Sequence, residues 1–206
     1  MISTPAKGES VALHISKSEK GRIQAGISWD TTQEEQTKGF WIFKKNVMVD
    51  IIFDIDLFCC LYNKNGEVID HVTPENANLM DESGQIFHSG DNQTGRTSGD
   101  DEYISVNTTL LPDNINAVVF FALCHDNKSF KQILNPQIRI ADGASDESQI
   151  LINLDQLNGA YNDGFIFAAL IRDPSKENGW ALKNISEFKN DKDVEDWGAE
   201  GARYLS

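Results

Sequence analysis

Short apolar segments alternate with polar turns along most of the chain, and this pattern predicts β-strands rather than helices. Residues 50–62, 117–124 and 165–171 are almost continuously apolar and are predicted to be strands buried in a core. Residues 11–15 and 23–29 alternate between apolar and polar positions, and together they predict a first hairpin. Because helical periodicity is weak before the end of the chain, the sequence predicts an all-β fold, a β-sandwich of two sheets.

Turn signals predict how some of these strands are connected. The Asn-Gly pair within residues 63–66 favours a tight hairpin turn, so residues 67–72 are predicted to return as the partner strand. Further short strands are predicted at residues 103–106, 137–141 and 150–154.

Residues 31–49 are predicted to begin as a polar loop and to end as a strand that carries Phe40, Trp41 and Phe43 among lysines. An edge strand protected by lysines accounts for this composition, and it is the preferred interpretation. A patch that binds a protein partner is the alternative.

Residues 186–206 are charged, of mixed sign, with Trp197 to anchor them. The predicted organisation is therefore a sandwich domain over residues 1–185 and a charged C-terminal tail over residues 186–206. That tail is either a short helix laid on the sandwich or a partly ordered extension, and the sequence leaves both open.

The chain is acidic, with 32 Asp and Glu against 18 Lys and Arg and a formal net charge of −14. Such a charge repels phosphate backbones and attracts cations, so we expect no nucleic-acid partner and favour cation binding. Acidity that only keeps the protein soluble is the simpler alternative.

The three cysteines, Cys59, Cys60 and Cys124, lie within apolar segments and are expected to be buried, reduced thiols. A redox or metalloid-binding role for the adjacent Cys59 and Cys60 is the alternative. The N-terminus lacks the features of a signal peptide, and no segment is long and apolar enough to cross a membrane. We therefore expect a soluble, cytoplasmic protein without a transmembrane segment.

Residues 88–102, hereafter the acidic loop, are rich in oxygen-bearing side chains. They contain Asp91, Asn92, Asp100, Asp101 and Glu102 together with three glycines, and no aliphatic residue. Carboxylates crowded in this way suit Ca²⁺, which takes six to eight oxygen ligands. A solvated polar loop is the alternative.

Asp54 and Asp56 stand two residues apart inside an apolar predicted strand, so their side chains share one face. Two unpaired carboxylates are costly to bury, so they need either a cation or a place at the open end of the strand. Asp30 is a further carboxylate at the end of a predicted strand.

Other chemistries are disfavoured by spacing. The four histidines and three cysteines lack the close pairs of structural zinc sites, so each histidine is expected to be an ordinary half-buried residue. No EF-hand, P-loop, dinucleotide fingerprint or nucleophile elbow is present. Paired carboxylates leave glycoside hydrolysis formally open.

Several motifs together resemble the TerD family of tellurium-resistance and stress proteins. They are Phe-Asp-Ile-Asp-Leu at residues 53–57 with the following Asn-Gly turn, the acidic loop, and Leu111-Pro112. The same resemblance extends to Gly-Ile-Ser-Trp-Asp at residues 26–30 and to Ser-Phe-x-Gln at residues 129–132 with Asn135. The resemblance covers roughly residues 8–185.

This resemblance implies a calcium-binding β-sandwich without known enzymatic activity, which acts with other proteins of bacterial resistance to tellurite, phage and other stress. The ligand set that it implies comprises Asp54, Asp56, Asp91, Asn92, Asp100, Asp101 and Glu102. Asp30 and Asn78 are second-tier candidates.

The chain also departs from the usual family pattern. It has an insertion at about residues 31–49, Ala77-Asn78 in place of two asparagines, and a shortened segment after His125. These differences indicate a divergent member. The alternative function is a metal-independent interaction module of the same stress system that docks through the segment around Trp41.

Overall fold

A computed structural model describes residues 4–16, 21–38, 45–126 and 128–205, which form two β-sheets packed against each other and one short C-terminal helix. The strands are β1 (Ser10–Ala12), β2 (Arg22–Asp30), β3 (Thr32–Lys38), β4 (Lys45–Ile51), β5 (Ile55–Tyr62), β6 (Val68–Val72), β7 (Ile86–His88), β8 (Glu102–Asn107), β9 (Ala117–Cys124), β10 (Leu134–Asp142), β11 (Ser148–Asn153), β12 (Gly164–Arg172) and β13 (Trp180–Lys189). The helix is α1 (Trp197–Ala202).

The first sheet has six strands in the order β1-β13-β12-β9-β5-β6, and the second has five in the order β11-β10-β2-β8-β7. Neighbouring strands in both sheets are antiparallel. The predicted all-β sandwich of two sheets is therefore confirmed. Strands β3 and β4 pair with each other as a separate two-stranded ribbon.

The main core lies between the two sheets and follows the period-two alternation of the strands. In β2, Ile23 and Ile27 are fully buried, and in β5 so are Ile55 and Leu57. The apolar segment at residues 117–124 forms β9 in the middle of the six-stranded sheet. Its Phe120 faces this core, whereas Phe121 belongs to a second apolar cluster on the outer face of the same sheet.

The C-terminal segment covers that outer face. Trp197 of α1 packs edge-on against Phe121 and Phe58, with ring centroids 5.7 and 6.1 Å apart. The Tyr62 hydroxyl donates a hydrogen bond to the carbonyl of Gly198 at 2.9 Å. Of the two alternatives for the tail, the structure therefore shows the short helix laid on the sandwich.

The proposed division of the chain after residue 185 falls inside β13, which continues to Lys189. Phe188 near the end of β13 packs against the main core, with its ring centroid 4.5 Å from that of Phe165. Strand β13 was missed because its polar residues interrupt the apolar pattern that marks the other core strands.

Three local predictions were wrong. The first two strands do not form a hairpin, because β1 pairs with β13 in one sheet while β2 pairs with β8 and β10 in the other. Residues 32–38 form β3 rather than a loop, since pairing with β4 satisfies the backbone of a ribbon whose side chains are largely exposed. The predicted strand at residues 50–62 is interrupted, because β4 ends at Ile51 and β5 begins at Ile55.

Phe40, Trp41 and Phe43 lie outside the described residues, between β3 and β4. Within the part of the chain that is described, no helix has the length and apolar character needed to cross a membrane.

Candidate metal centre

The candidate site lies where β5 begins. Strand β6 pairs with β5 only from Cys59 to Tyr62, so the first residues of β5 have a strand neighbour only in β9. Alternation directs Leu57 to the core and Asp56 to the outer face of the sheet. Asp54 precedes the strand on the same side as Asp56, and both are half-buried.

The register of β5 and β9 brings His125 to the same place. Ile55 lies opposite Cys124, and the backbone N–H of His125 donates to the carbonyl of Asp54 at 3.0 Å. The ring Nε2 of His125 lies 2.7 Å from Oδ2 of Asp56. His125 was predicted to be an ordinary histidine, yet it follows directly the strand that pairs with β5, and that position was the signal available in the sequence.

Glu102, the first residue of β8, reaches this site from the opposite sheet. Its side chain is fully buried, and its Oε2 accepts a hydrogen bond from the backbone N–H of Leu57 at 2.9 Å. Its Oε1 accepts another from the backbone N–H of Asn92 at 2.9 Å. Glu102 thus connects both sheets to the acidic loop.

Two overlapping groups of possible ligands result. Among the described residues, one ligand atom each from Asp56, Asp91 and Glu102 lies within 4.8 Å of the other two. Ligand atoms of Asp54, Asp56 and His125 form a second group within the same limit. Asp56 is common to both groups, so the acidic loop and the Asp-x-Asp pair lie together, although the sequence separates them by more than thirty residues.

The carboxylates of this site repel one another. Burial, followed by the negative charges of Asp56, Asp91 and Glu102, raises the pKa of Asp54 to about 6, although His125 acts in the opposite direction. The Oδ1 atom of Asp54 is buried and has no hydrogen-bond partner among the described residues. Carboxylates this close raise one another's pKa, and a bound cation would favour their ionised form.

Two histidines lie close to these carboxylates and oppose the rise in their pKa values. Burial raises the pKa of Glu102, against the effects of the nearby His88 and of hydrogen bonds from the backbone N–H groups of Leu57 and Asn92. His88 is fully buried, and its Nε2 lies 3.4 Å from Oε2 of Glu102, while its Nδ1 accepts a hydrogen bond from the N–H of Gly90. Burial lowers the pKa of His125, but the hydrogen bond and charge of Asp56 outweigh this and the net pKa is raised.

The donor set fits a hard divalent cation. Carboxylate oxygens of Asp56, Asp91 and Glu102 are ligands that Ca²⁺ prefers, and backbone carbonyls and water complete its usual coordination. The buried Oδ1 of Asp54, which has no hydrogen-bond partner in the part of the chain that is described, adds a further acceptor beside them.

Asp101 and Asn92 have a different place, inside the acidic loop. The Oδ2 atom of Asp101 accepts a hydrogen bond from the N–H of Trp29 at 2.9 Å, and its Oδ1 accepts one from the N–H of Thr97 at 3.0 Å. Asn92 accepts a hydrogen bond from the N–H of Thr94 through its Oδ1. These two side chains hold the shape of the loop and fix it to β2.

Asp100, Asp30 and Asn78 lie in contacts of their own. Asp100 pairs with Arg139, with Nε and Oδ1 2.8 Å apart, on the outer face of the five-stranded sheet. Asp30 accepts a hydrogen bond from Nδ2 of Asn135 at 2.7 Å. Asn78 takes part in a turn through its backbone carbonyl, which accepts from the N–H of Thr73.

The adjacent cysteines point in opposite directions. Cys59 belongs to the main core and Cys60 to the outer cluster, because successive strand residues face opposite sides of a sheet. The two thiols therefore do not face a common site, and this arrangement does not support the metalloid-binding alternative for the pair.

Comparison with known proteins finds a family whose sequence model matches most of this chain. The sequence model of the TerD domain matches residues 1–192. The tellurium resistance protein TerX from Serratia marcescens is 29% identical over 204 residues, which cover 88% of this chain and 91% of that protein. The stress response protein SCP2 from Bacillus subtilis (strain 168) is 28% identical over 202 residues, which cover 92% and 94%.

The fold has a counterpart among solved structures. A homologue of the telluride resistance protein TerD from Streptomyces coelicolor A3(2) superimposes with a TM-score of 0.63 at 17% identity, covering 82% of this chain and 90% of that one. At this identity the likeness shows the fold alone.

Proposed function

Because the chain belongs to the TerD family, whose relatives are named tellurium-resistance and stress-response proteins, we propose that it is a non-enzymatic, calcium-binding protein of such a resistance system. In this proposal Ca²⁺ joins the beginning of β5 to the acidic loop. Asp56, Asp91 and Glu102 supply carboxylate ligands, and Asp54 adds negative charge beside them.

The observation that carries this proposal is the convergence of these carboxylates. They come from two different sheets and a loop, and among the described residues Asp56 and Glu102 form ion pairs only with histidines, not with lysine or arginine. Glu102 is fully buried at this point, and the buried Oδ1 of Asp54 has no partner among the described residues. Buried charges in proteins are paired with an opposite charge or coordinate a metal, and a cation bound here would pair with the buried carboxylate of Glu102.

Calcium titration by calorimetry tests the proposal. We expect saturable binding by the parent protein and strong loss of affinity in Asp56→Asn and Asp91→Asn, which each remove one charge while keeping the side-chain shape. Asp113→Asn is the matched control, because Asp113 is exposed in a turn and belongs to neither ligand group. Absence of saturable binding, or equal affinity in all three variants, would contradict the proposal.

A second candidate function rests on the β3–β4 ribbon. This ribbon belongs to neither main sheet, and Asp50 of β4 forms an ion pair with Arg96 of the acidic loop. A metal-independent interaction module would dock through the segment around Trp41, which lies between β3 and β4 in the sequence. Partner proteins that are lost on Trp41→Ala and retained in a chelator would favour this function over calcium binding.

We also propose a cytoplasmic location and partners among the other proteins of the resistance system. The buried, unpaired thiols of Cys59, Cys60 and Cys124 support a reducing compartment. The names of the relatives support a role in resistance or stress response.

A further inference from the structure

We propose that Asp54, Asp56 and His125 form a second metal position, which binds a first-row transition-metal dication such as Zn²⁺ beside the proposed calcium position. This position shares Asp56 with the calcium site but does not depend on calcium being bound. It would make the centre a mixed one, with two ions of different chemistry.

The donor atoms distinguish the two positions. The group of Asp56, Asp91 and Glu102 offers only carboxylate oxygens, which suit Ca²⁺. The group of Asp54, Asp56 and His125 offers an imidazole nitrogen with two carboxylates. Calcium sites in proteins are built from oxygen ligands, whereas imidazole is a preferred ligand of zinc, copper, iron and nickel.

The distances between the ligand atoms of Asp54, Asp56 and His125 also suit Zn²⁺. The three ligand atoms lie within 4.8 Å of one another, and Nε2 of His125 is already 2.7 Å from Oδ2 of Asp56. Ligands at about 2.1 Å from a tetrahedral Zn²⁺ lie roughly 3.4 Å apart, so small side-chain rotations suffice. The ion takes the place of the hydrogen shared by Nε2 and Oδ2, which passes to solvent.

Two further features support a built position. The buried Oδ1 of Asp54 has no hydrogen-bond partner among the described residues. The backbone of His125 is held by its bond to Asp54, and the N–H of Lys128 donates to the His125 carbonyl in the turn that follows. The His125 side chain is 40% exposed and that of Asp56 is 26% exposed, so an ion can reach the site from solvent and keep water as its remaining ligand.

The test compares binding of Zn²⁺ and Co²⁺ in variants of the full chain, both without calcium and with calcium at saturation. We expect one Zn²⁺ per chain by calorimetry and a visible absorption band on addition of Co²⁺. His125→Ala should weaken Zn²⁺ binding at least about tenfold, the lower end of the losses seen when a metal site is disturbed. His71→Ala is the matched control, because His71 is exposed on β6 and belongs to neither ligand group.

The outcomes separate this inference from the proposed function. Asp91→Asn should lose calcium affinity while still binding Zn²⁺, because Asp91 belongs to the all-carboxylate group and not to the group that contains His125. Equal Zn²⁺ binding by the parent and His125→Ala would overturn the inference, as would displacement of one Ca²⁺ by each Zn²⁺ bound. If His125→Ala melts at a lower temperature than the parent, His125→Gln replaces it, since its amide oxygen is a poor zinc ligand in a side chain of similar reach.

Discussion

The backbone N–H of His125 donates to the carbonyl of Asp54 at 3.0 Å, across the antiparallel pair of β5 and β9. This bond extends the β5–β9 pairing, and it holds the end of the most apolar strand beside the residues that carry the Asp-x-Asp pair. It therefore places an imidazole next to carboxylates that already meet the acidic loop on their other side. The predictions below depend on how these groups share charge and hydrogen bonds.

Calcium should stabilise the folded protein. A ligand that binds only the native state raises the free energy of unfolding, by about 2.7 kcal/mol when its concentration is a hundred times its Kd. We expect a higher Tm in millimolar Ca²⁺ and a smaller rise in Mg²⁺, which demands a tighter octahedral geometry. Thermal melts of the parent and Asp56→Asn test this, and an equal response of both proteins to Ca²⁺ would contradict the assigned ligands.

Asp101 should matter for stability whether or not calcium is present. It accepts hydrogen bonds from the backbone N–H groups of Trp29 and Thr97, so Asp101→Ala leaves donors without their partner. Each buried group left unsatisfied costs about 1–3 kcal/mol. Urea unfolding should show this loss with and without calcium, whereas Asp91→Asn should lower stability only in the calcium-loaded protein. If Asp101→Ala unfolds like the parent in a chelator, the structural role is wrong.

Calcium affinity should fall as the pH is lowered from about 7 to about 5, because protons compete with the metal for its ligands. The pKa of Asp54 is raised by burial and neighbouring carboxylates from 3.8 to about 6, and burial also raises that of Glu102. Calorimetry at several pH values should show a weaker pH dependence in Asp54→Asn, and Asp113→Asn should behave like the parent.

In the calcium-free protein, the raised pKa of Asp54 makes the folded state less stable as the pH rises. Because the folded-state pKa of Asp54 exceeds its unfolded value, this residue contributes stability below pH 3.8 that is lost as the pH rises through about 6. Asp54→Asn should therefore gain stability relative to the parent above that pH, measured by urea unfolding in a chelator. No difference between the two proteins across this range would contradict the raised pKa.

The thiols should be unreactive in the native protein. Burial raises the pKa of Cys60 to about 12 and raises those of Cys59 and Cys124 well above the ordinary value. The thiolate is the reactive form. Mass spectrometry after brief treatment with iodoacetamide at neutral pH should show little modification until denaturant is added, and rapid labelling of the native protein would contradict this burial.

The C-terminal helix should contribute to the stability of the sandwich. Trp197 covers Phe58 and Phe121 on the outer face of the six-stranded sheet. Trp197→Ala should lower the free energy of unfolding by about 1–2 kcal/mol, because Trp197 is half-buried and full burial of a large apolar side chain contributes about 1.5–3 kcal/mol. Tyr161→Ala is the control, because Tyr161 is 79% exposed and should unfold like the parent.

Much of the fold could be predicted because strand alternation and apolar content are local properties. The sequence identified β5, β9 and β12 as core strands and the Asn-Gly turn before β6, where Gly66 adopts a φ of 76°. It failed where pairing is not local, as for β1, whose partner β13 lies about 170 residues further along the chain. The alternation of apolar and polar residues in β1 does not show whether its partner strand is next to it in the sequence or far away.

The candidate site divides in the same way. The sequence alone determined which residues carry oxygen ligands, and it predicted that Asp54 and Asp56 lie on one side, which holds although Asp54 precedes β5. Only the tertiary structure decided which of these ligands meet: it brings Asp56 to Asp91 and Glu102, pairs Asp100 with Arg139, and adds His125. The physical reason is that side-chain chemistry and facing are set by each short segment, whereas the register between β5 and β9 and the approach of the second sheet are set by packing of the whole core.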